Sequence, residues 1–214
     1  MGKYDAVGGL PLVRRGMDVR GALTAQNGTV LPVHHVNTEV VFAGSTGTNG
    51  TSPTGVGGLS LVWSLLGSAQ GAGTWKAGAF MWFGRRWSVD HVANISSVTT
   101  LSVSPDKSGA AVFLSGAPRT LLATAIGNGW TGGIKTIGPL TATKDCIALL
   151  VVSYAEKKAG YPPLDGWEML SGNYPAGTSD AWGVFAKPFS AGSVVQQALA
   201  DATYSTAAVL ALIG

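Results

Sequence analysis

The chain has 214 residues, of which 46% are hydrophobic and 12% charged, with 14 basic against 11 acidic residues for a net charge of +3. A charged share about half the usual one leaves a surface made mostly of Ser, Thr, Gly and Ala, which suits a subunit packed into an assembly. It excludes a basic nucleic-acid surface: no basic run exceeds a pair, and "MWFGRRW" (81–87), where aromatics and arginines interleave, has the spacing of a strand with core aromatics and a basic end.

In chain order, residues 1–28 have no sustained period and contain Gly8-Gly9 and Pro11, so they read as an extended N-terminal arm. Nothing in "MGKYDAVGGLPLVRR" has the apolar core of a signal peptide. The expectation is a chain that is not secreted. Residues 29–214 read as one domain. A β-like segment runs from Thr29 to Ala43, interrupted at Pro32, and "GSTGTNGTSPTGVGG" (44–58) follows as a long Gly/Thr/Ser-rich loop.

Short β-rich segments then recur between Gly, Pro, Asn and Asp punctuation. They cover 59–66, 74–83, 98–104, 110–116, 119–126, 146–154, 166–172, 181–187, 193–202 and 205–213. Only around 193–202 does a helix compete. The class predicted is all-β, a jelly-roll-like antiparallel β-sandwich with an extended N-terminal arm. The longest apolar runs, "IALLVV" and "AAVLALI", are too short to cross a bilayer, so no membrane insertion is expected.

"DCIALLVVSY" (145–154) departs from the pattern of a half-buried strand. Cys146, Ala148, Leu150 and Val152 take one face, Ile147, Leu149 and Val151 the other, and neither suits water. Residues 74–83 and 205–213 share the oddity. The economical cover is another subunit, which makes Ile147, Leu149 and Val151 the candidate interface of a homo-oligomer, a trimer being the first arrangement to test. Within the chain, the alternatives are the 44–58 loop and the N-terminal arm.

No chemistry stands out. A single cysteine, Cys146, excludes an internal disulfide and a Cys-based zinc site, and it lies in an apolar strand as a small hydrophobe would. Asp165 and Glu168 are the closest acidic pair, flanking Gly166-Trp167, with nothing to make them converge on a substrate. Asp90-His91 and His34-His35 are neighbours in sequence, so in a strand their side chains point apart. Ser60 in "GLSLV" lacks the second glycine of a nucleophile elbow, and no phosphate-binding glycine motif occurs among 31 glycines. The expectation is a protein with no catalytic residues, no metal site and no cofactor.

Several segments follow one another in a suggestive order: "GLSLVWSLLGSAQGAGTWKAGAFMWFGRR", "SGAAVFLSGA", "DCIALLVVSYAE", "PPLDGWEMLSG", "DAWGVFAKPFSAG" and "TYSTAAVLALIG". Over residues 38–214 this order resembles a β-rich domain of virion proteins from tailed phages of actinobacteria, of the minor tail and head-decoration type. Gly166-Trp167 and the Ala-rich closing strand 205–213 fit that family's pattern; Leu59-Ser60 stands where Trp-Thr is more usual. The resemblance implies a non-enzymatic structural subunit of the virion, assembled in the host cytoplasm and acting through contacts with copies of itself and with other virion proteins. The alternative function is a carbohydrate-binding module or host-surface receptor-binding protein. Its stacking platforms for host-surface glycans would be Trp63, Trp130 and Trp167.

Overall fold

The computed structural model describes residues 19–26, 30–33, 38–46, 63–66, 75–82, 85–95, 99–103, 108–115, 119–130, 135–154, 164, 166–172, 181–199 and 206–214. Fifteen strands account for most of them, and the described residues include no helix. In the first half they are β1 (Val19–Gln26), β2 (Val30–Val33), β3 (Thr38–Thr46), β4 (Trp63–Leu66), β5 (Lys76–Trp82), β6 (Arg85–Ile95), β7 (Thr99–Val103) and β8 (Ser108–Ser115). In the second they are β9 (Leu121–Trp130), β10 (Lys135–Thr141), β11 (Cys146–Tyr154), β12 (Glu168–Gly172), β13 (Ala181–Phe189), β14 (Val194–Leu199) and β15 (Thr206–Ile213).

Two five-stranded sheets, ordered β1-β8-β3-β6-β5 and β12-β13-β11-β15-β9, carry the structure. A three-stranded sheet, β2-β7-β4, and a two-stranded ribbon, β10-β14, accompany them. Every pairing is antiparallel. The expected all-β sandwich is therefore present, and each main sheet is drawn from one half of the chain.

The two sheets pack face to face because each strand turns one apolar phase inward. Val41 and Ala43 of β3, Trp87 and Val89 of β6 and Val112 of β8 meet Val184 of β13 and Val209 of β15 in one buried cluster. The Trp87 and Trp182 rings touch across the gap, with centroids 6.0 Å apart. Ile147, Leu149 and Val151 belong to this inner cluster, at 2%, 0% and 0% exposure. They are core residues of a single chain, so the interface expected at these positions is not there.

The other face of β11 is covered too, from within the chain. Cys146, Ala148, Leu150 and Val152 pack under the β10–β14 ribbon, against Ile137, Val195 and Leu199, with Leu164 and Trp167 closing one side. The ribbon can do this because β14 alternates strictly at its start: Val194 faces out and Val195 in. A third layer of the same chain, the β10–β14 ribbon, answers the double apolar phase of β11.

Other expectations change in detail. Residues 19–26 are not part of an arm; they form the edge strand β1, paired with β8. Their sequence hides this because an edge strand is held largely by its ladder; Val19 and Ala22 pack against the core. Residues 1–18 and 47–58 lie outside the described residues, whereas 44–46 extend β3. The segment that could have been a helix is β14. Besides β1, two strands escaped the periodicity: β6, whose Ser88, Asp90 and His91 interrupt the apolar phase, and β10, whose Gly138-Pro139 reads as a turn. The proline is tolerated because β10 pairs on one side only and its ladder shifts register between Ile137 and Leu140.

Three large apolar side chains stay exposed among the described residues, Ile126, Met169 and Val194, on three different strands, and scattered exposure of this kind needs no partner.

Because both faces of β11 are core, Leu149→Asp should abolish the circular-dichroism signature of the fold rather than release a folded monomer. Leu150→Ala should cost about 2–5 kcal/mol in urea denaturation, the usual range for a fully buried leucine.

Candidate functional site

The fold brings together two chemistry-bearing side chains that the sequence keeps 52 residues apart, Glu39 and His91. Glu39 shares the inward phase of Val41 and Ala43, and His91 the inward phase of Val89 and Trp87. The β3–β6 ladder pairs Val41 with His91 and Glu39 with Asn94, the register shifting between Val40 and Val41. With His91 opposite Val41, its imidazole lies diagonally across the ladder from Glu39 on the same face. His91 Nε2 and Glu39 Oε2 are hydrogen-bonded, and both side chains are 3% exposed.

Aromatic and cationic neighbours close the pair off. The Trp75 ring stacks on the His91 ring at 5.7 Å, and the Trp75 carbonyl accepts the His91 backbone N–H at 3.0 Å. Trp75 in turn donates its indole N–H to the Arg119 carbonyl at 3.0 Å, and the Arg119 guanidinium donates through Nη2 to the Ser115 carbonyl. Burial pushes Arg119 below its ordinary value, while the nearby Glu39 charge acts in the opposite direction. The cluster thus ties β3 to β6 and both to the connection between β8 and β9.

A carboxyl–imidazole pair is the usual material of general acid–base catalysis, but a catalytic base must reach the proton it takes. Here the imidazole lies under an indole and inside a sandwich. The arrangement instead satisfies two polar groups that burial would otherwise penalise. Sequence reading weighs His91 only with its chain neighbour Asp90 and gives Glu39 no role. The available signal was phase: an acid at the same parity as Val41 and Ala43 points at the core and must find a partner there.

The residues that the sequence did nominate are dispersed. Asp90 turns away from His91, as strand geometry requires, and accepts a hydrogen bond from the Ser88 hydroxyl at 3.0 Å. Asp165 lies outside the described residues; burial pushes the Glu168 carboxyl above its ordinary value. Trp63 starts β4 and Trp130 ends β9. Trp167 is 7% exposed, donates its indole N–H to Gln197 Oε1 at 2.7 Å and sits edge-on to Phe189. It fastens the 164–167 turn to the ribbon and has no free face for a sugar. No group of three or more His, Cys, Asp or Glu side chains among the described residues could hold a metal ion.

Cys146 is fully buried beneath the ribbon, and burial together with the adjacent Asp145 charge pushes its thiol up to about 11. It is placed as a core side chain, and its thiol is kept protonated.

The chain matches no protein-family model, no curated protein and no solved structure with which it was compared.

Replacing either member of the buried pair strands the other, so Glu39→Leu or His91→Leu should each cost about 3–5 kcal/mol in chemical denaturation. The double variant should cost clearly less than the two single losses summed, since neither polar group is then left alone. Cys146 should resist iodoacetamide at pH 8 in the native protein and react in denaturant. The folded thiol holds its proton above the unfolded one, so its contribution to stability is complete below about pH 9 and lost as the pH rises through about 11. Cys146→Ala should remove that part of the alkaline loss, read as a shallower fall of melting temperature over this range.

Proposed function

We propose that this chain is a non-enzymatic structural subunit of a tailed-phage virion, a minor tail or head-decoration protein that works through protein–protein contacts. The resemblance of residues 38–214 to such domains gives the class. The observation that carries it is the use made of the chemically able side chains. The Glu39–His91 pair, Cys146 and Trp167 are all enclosed by the fold and serve packing or hydrogen bonding within it. A low-charge surface around a heavily apolar, three-layered interior supports the same reading: rigidity and packing against neighbours are what such a chain offers.

The partners are copies of the chain itself and other virion proteins, with the particle, assembled in the host cytoplasm, as its location. Since Ile147, Leu149 and Val151 lie inside the sandwich, any self-association uses other surfaces. A trimer therefore has no support from β11. The carbohydrate-binding alternative loses Trp167, whose ring and indole N–H are both engaged.

Mass spectrometry of purified particles should find the protein in stoichiometric amount, and antibody labelling in electron micrographs should place it on the tail or the head surface. Its absence from purified particles would overturn the proposal. So would turnover of an esterase, glycosidase or peptidase substrate that disappears in a variant of this chain.

A further inference from the structure

The two main sheets have the same strand order. The first is built from β1, β3, β5, β6 and β8, arranged first, fifth, second, fourth, third when read from β1 to β5. The second is built from β9, β11, β12, β13 and β15, and read from β9 to β12 it is again first, fifth, second, fourth, third. The smaller elements obey the same rule. β2 falls between the first two of these strands and β7 between the last two, and they pair; β10 and β14 hold the corresponding places in the second half, and they pair as well. β4, on the free side of β7, has no counterpart among the described residues.

The packing between the sheets is symmetric under exchange of the halves. β5 lies against β9 as β12 lies against β1; β15 touches β5 and β6 as β8 touches β12 and β13; β11 touches β6 as β3 touches β13. The two second strands, β3 and β11, meet each other in the middle. Individual residues follow. Trp87 stands opposite Ser45 in the first sheet and Trp182 opposite Ser153 in the second, and these two tryptophans are the pair whose rings touch.

The sequence carries the same echo once the strands are aligned. Trp87-Ser88-Val89 answers to Trp182-Gly183-Val184, and Ser97-Val98 to Ser193-Val194. In the ladders Ser108, Ala110 and Val112, opposite Ser45, Ala43 and Val41, answer to Ala207, Val209 and Ala211, opposite Ser153, Val151 and Leu149, and Ala110, Val112, Val209 and Ala211 all face the core.

We infer that residues 19–115 and 119–214 are two copies of one structural unit, packed face to face about a pseudo-twofold axis between β3 and β11. Each unit offers the other the surface that a second copy of itself would offer, as in an isologous dimer. Fusion in one chain makes that contact intramolecular and so removes the concentration dependence of assembly. The inference is independent of the virion reading.

A pseudo-twofold makes a demand on the chain ends. Six residues, 115–120, separate Leu114, the partner of Val19, from Leu121, the partner of Ile213. The axis carries that crossing onto the one from Ile213 to Val19, so a connection of the same length must span it. The test is a circular permutant that starts at Arg119, runs to Gly214, continues through a second copy of residues 116–120 into Val19, and ends at Ser115. It should match an unpermuted chain of residues 19–214, itself checked against the full-length protein, in circular dichroism, in oligomeric state by sedimentation and in one cooperative urea transition of unchanged slope. The same permutant with its linker cut to about two residues, too short for the crossing, should lose that transition. The inference is overturned if the permutant fails to fold with the matched linker, whether or not a linker of about fifteen residues rescues it. It is equally overturned if the shortened linker leaves the transition intact.

Discussion

Strand β11 sets the problem that the rest of the molecule solves. Cys146 to Val152 contains no side chain that gains by meeting water, and a strand in a sheet has two faces. Each fully buried Leu, Ile or Val contributes about 1.5–3 kcal/mol relative to exposure, so leaving either face open would forfeit a sum comparable to the whole stability of a domain. Burying both requires three layers. The first sheet covers Ile147, Leu149 and Val151, and the β10–β14 ribbon covers Cys146, Ala148, Leu150 and Val152. The central position of β11 in its sheet, between β13 and β15, follows from the same need, since an edge strand would leave its flank open.

The remaining features are adjustments to a core this apolar. Charged and polar residues that share an inward phase have to be consumed locally, and Glu39, His91, Trp75 and Arg119 do so by bonding to one another and to the chain. Close approach of strands imposes a second adjustment. Gly109 stands opposite Gly44, and a Cβ on Gly109 would fall 2.3 Å from the Ala43 carbonyl oxygen, so the β3–β8 contact needs a residue without a side chain. Next to it, the Ser171 hydroxyl donates to the Gly109 carbonyl at 3.3 Å and links β12 of the second sheet to β8 of the first.

A twofold arrangement explains why one chain can satisfy so much apolar surface with so little charge. An inner face that is complementary to its own copy needs no separate partner to be selected for it. The exchange-symmetric pattern of strand contacts and the Trp87–Trp182 contact near the centre belong to that geometry. The strands whose apolar residues suggested a multi-subunit assembly, β11 above all, are buried within the chain.

Residue pattern alone determined the all-β class, most strand positions, and the fact that Cys146–Tyr154 must be buried on both sides, because alternation and turn residues act locally and leave their mark in sequence. It also determined that Asp90 and His91 do not act together, since adjacent side chains of a strand diverge. What it could not supply was identity of neighbours. Whether the cover of β11 is a second subunit or the ribbon depends on where β10 and β14 lie, and Gly138-Pro139 and the polar pair Gln196-Gln197 gave those strands no apolar signature. The parity of Glu39 with Val41 and Ala43 points it at the core, but which group meets it there depends on the pairing of β3 with β6, which no local pattern announces. Trp167 likewise reads as a platform until Gln197 and Phe189, brought to it from distant positions in the chain, occupy its N–H and its edge. Local forces fix what each strand is; only the pairing of strands far apart in the chain fixes which apolar faces and polar groups meet.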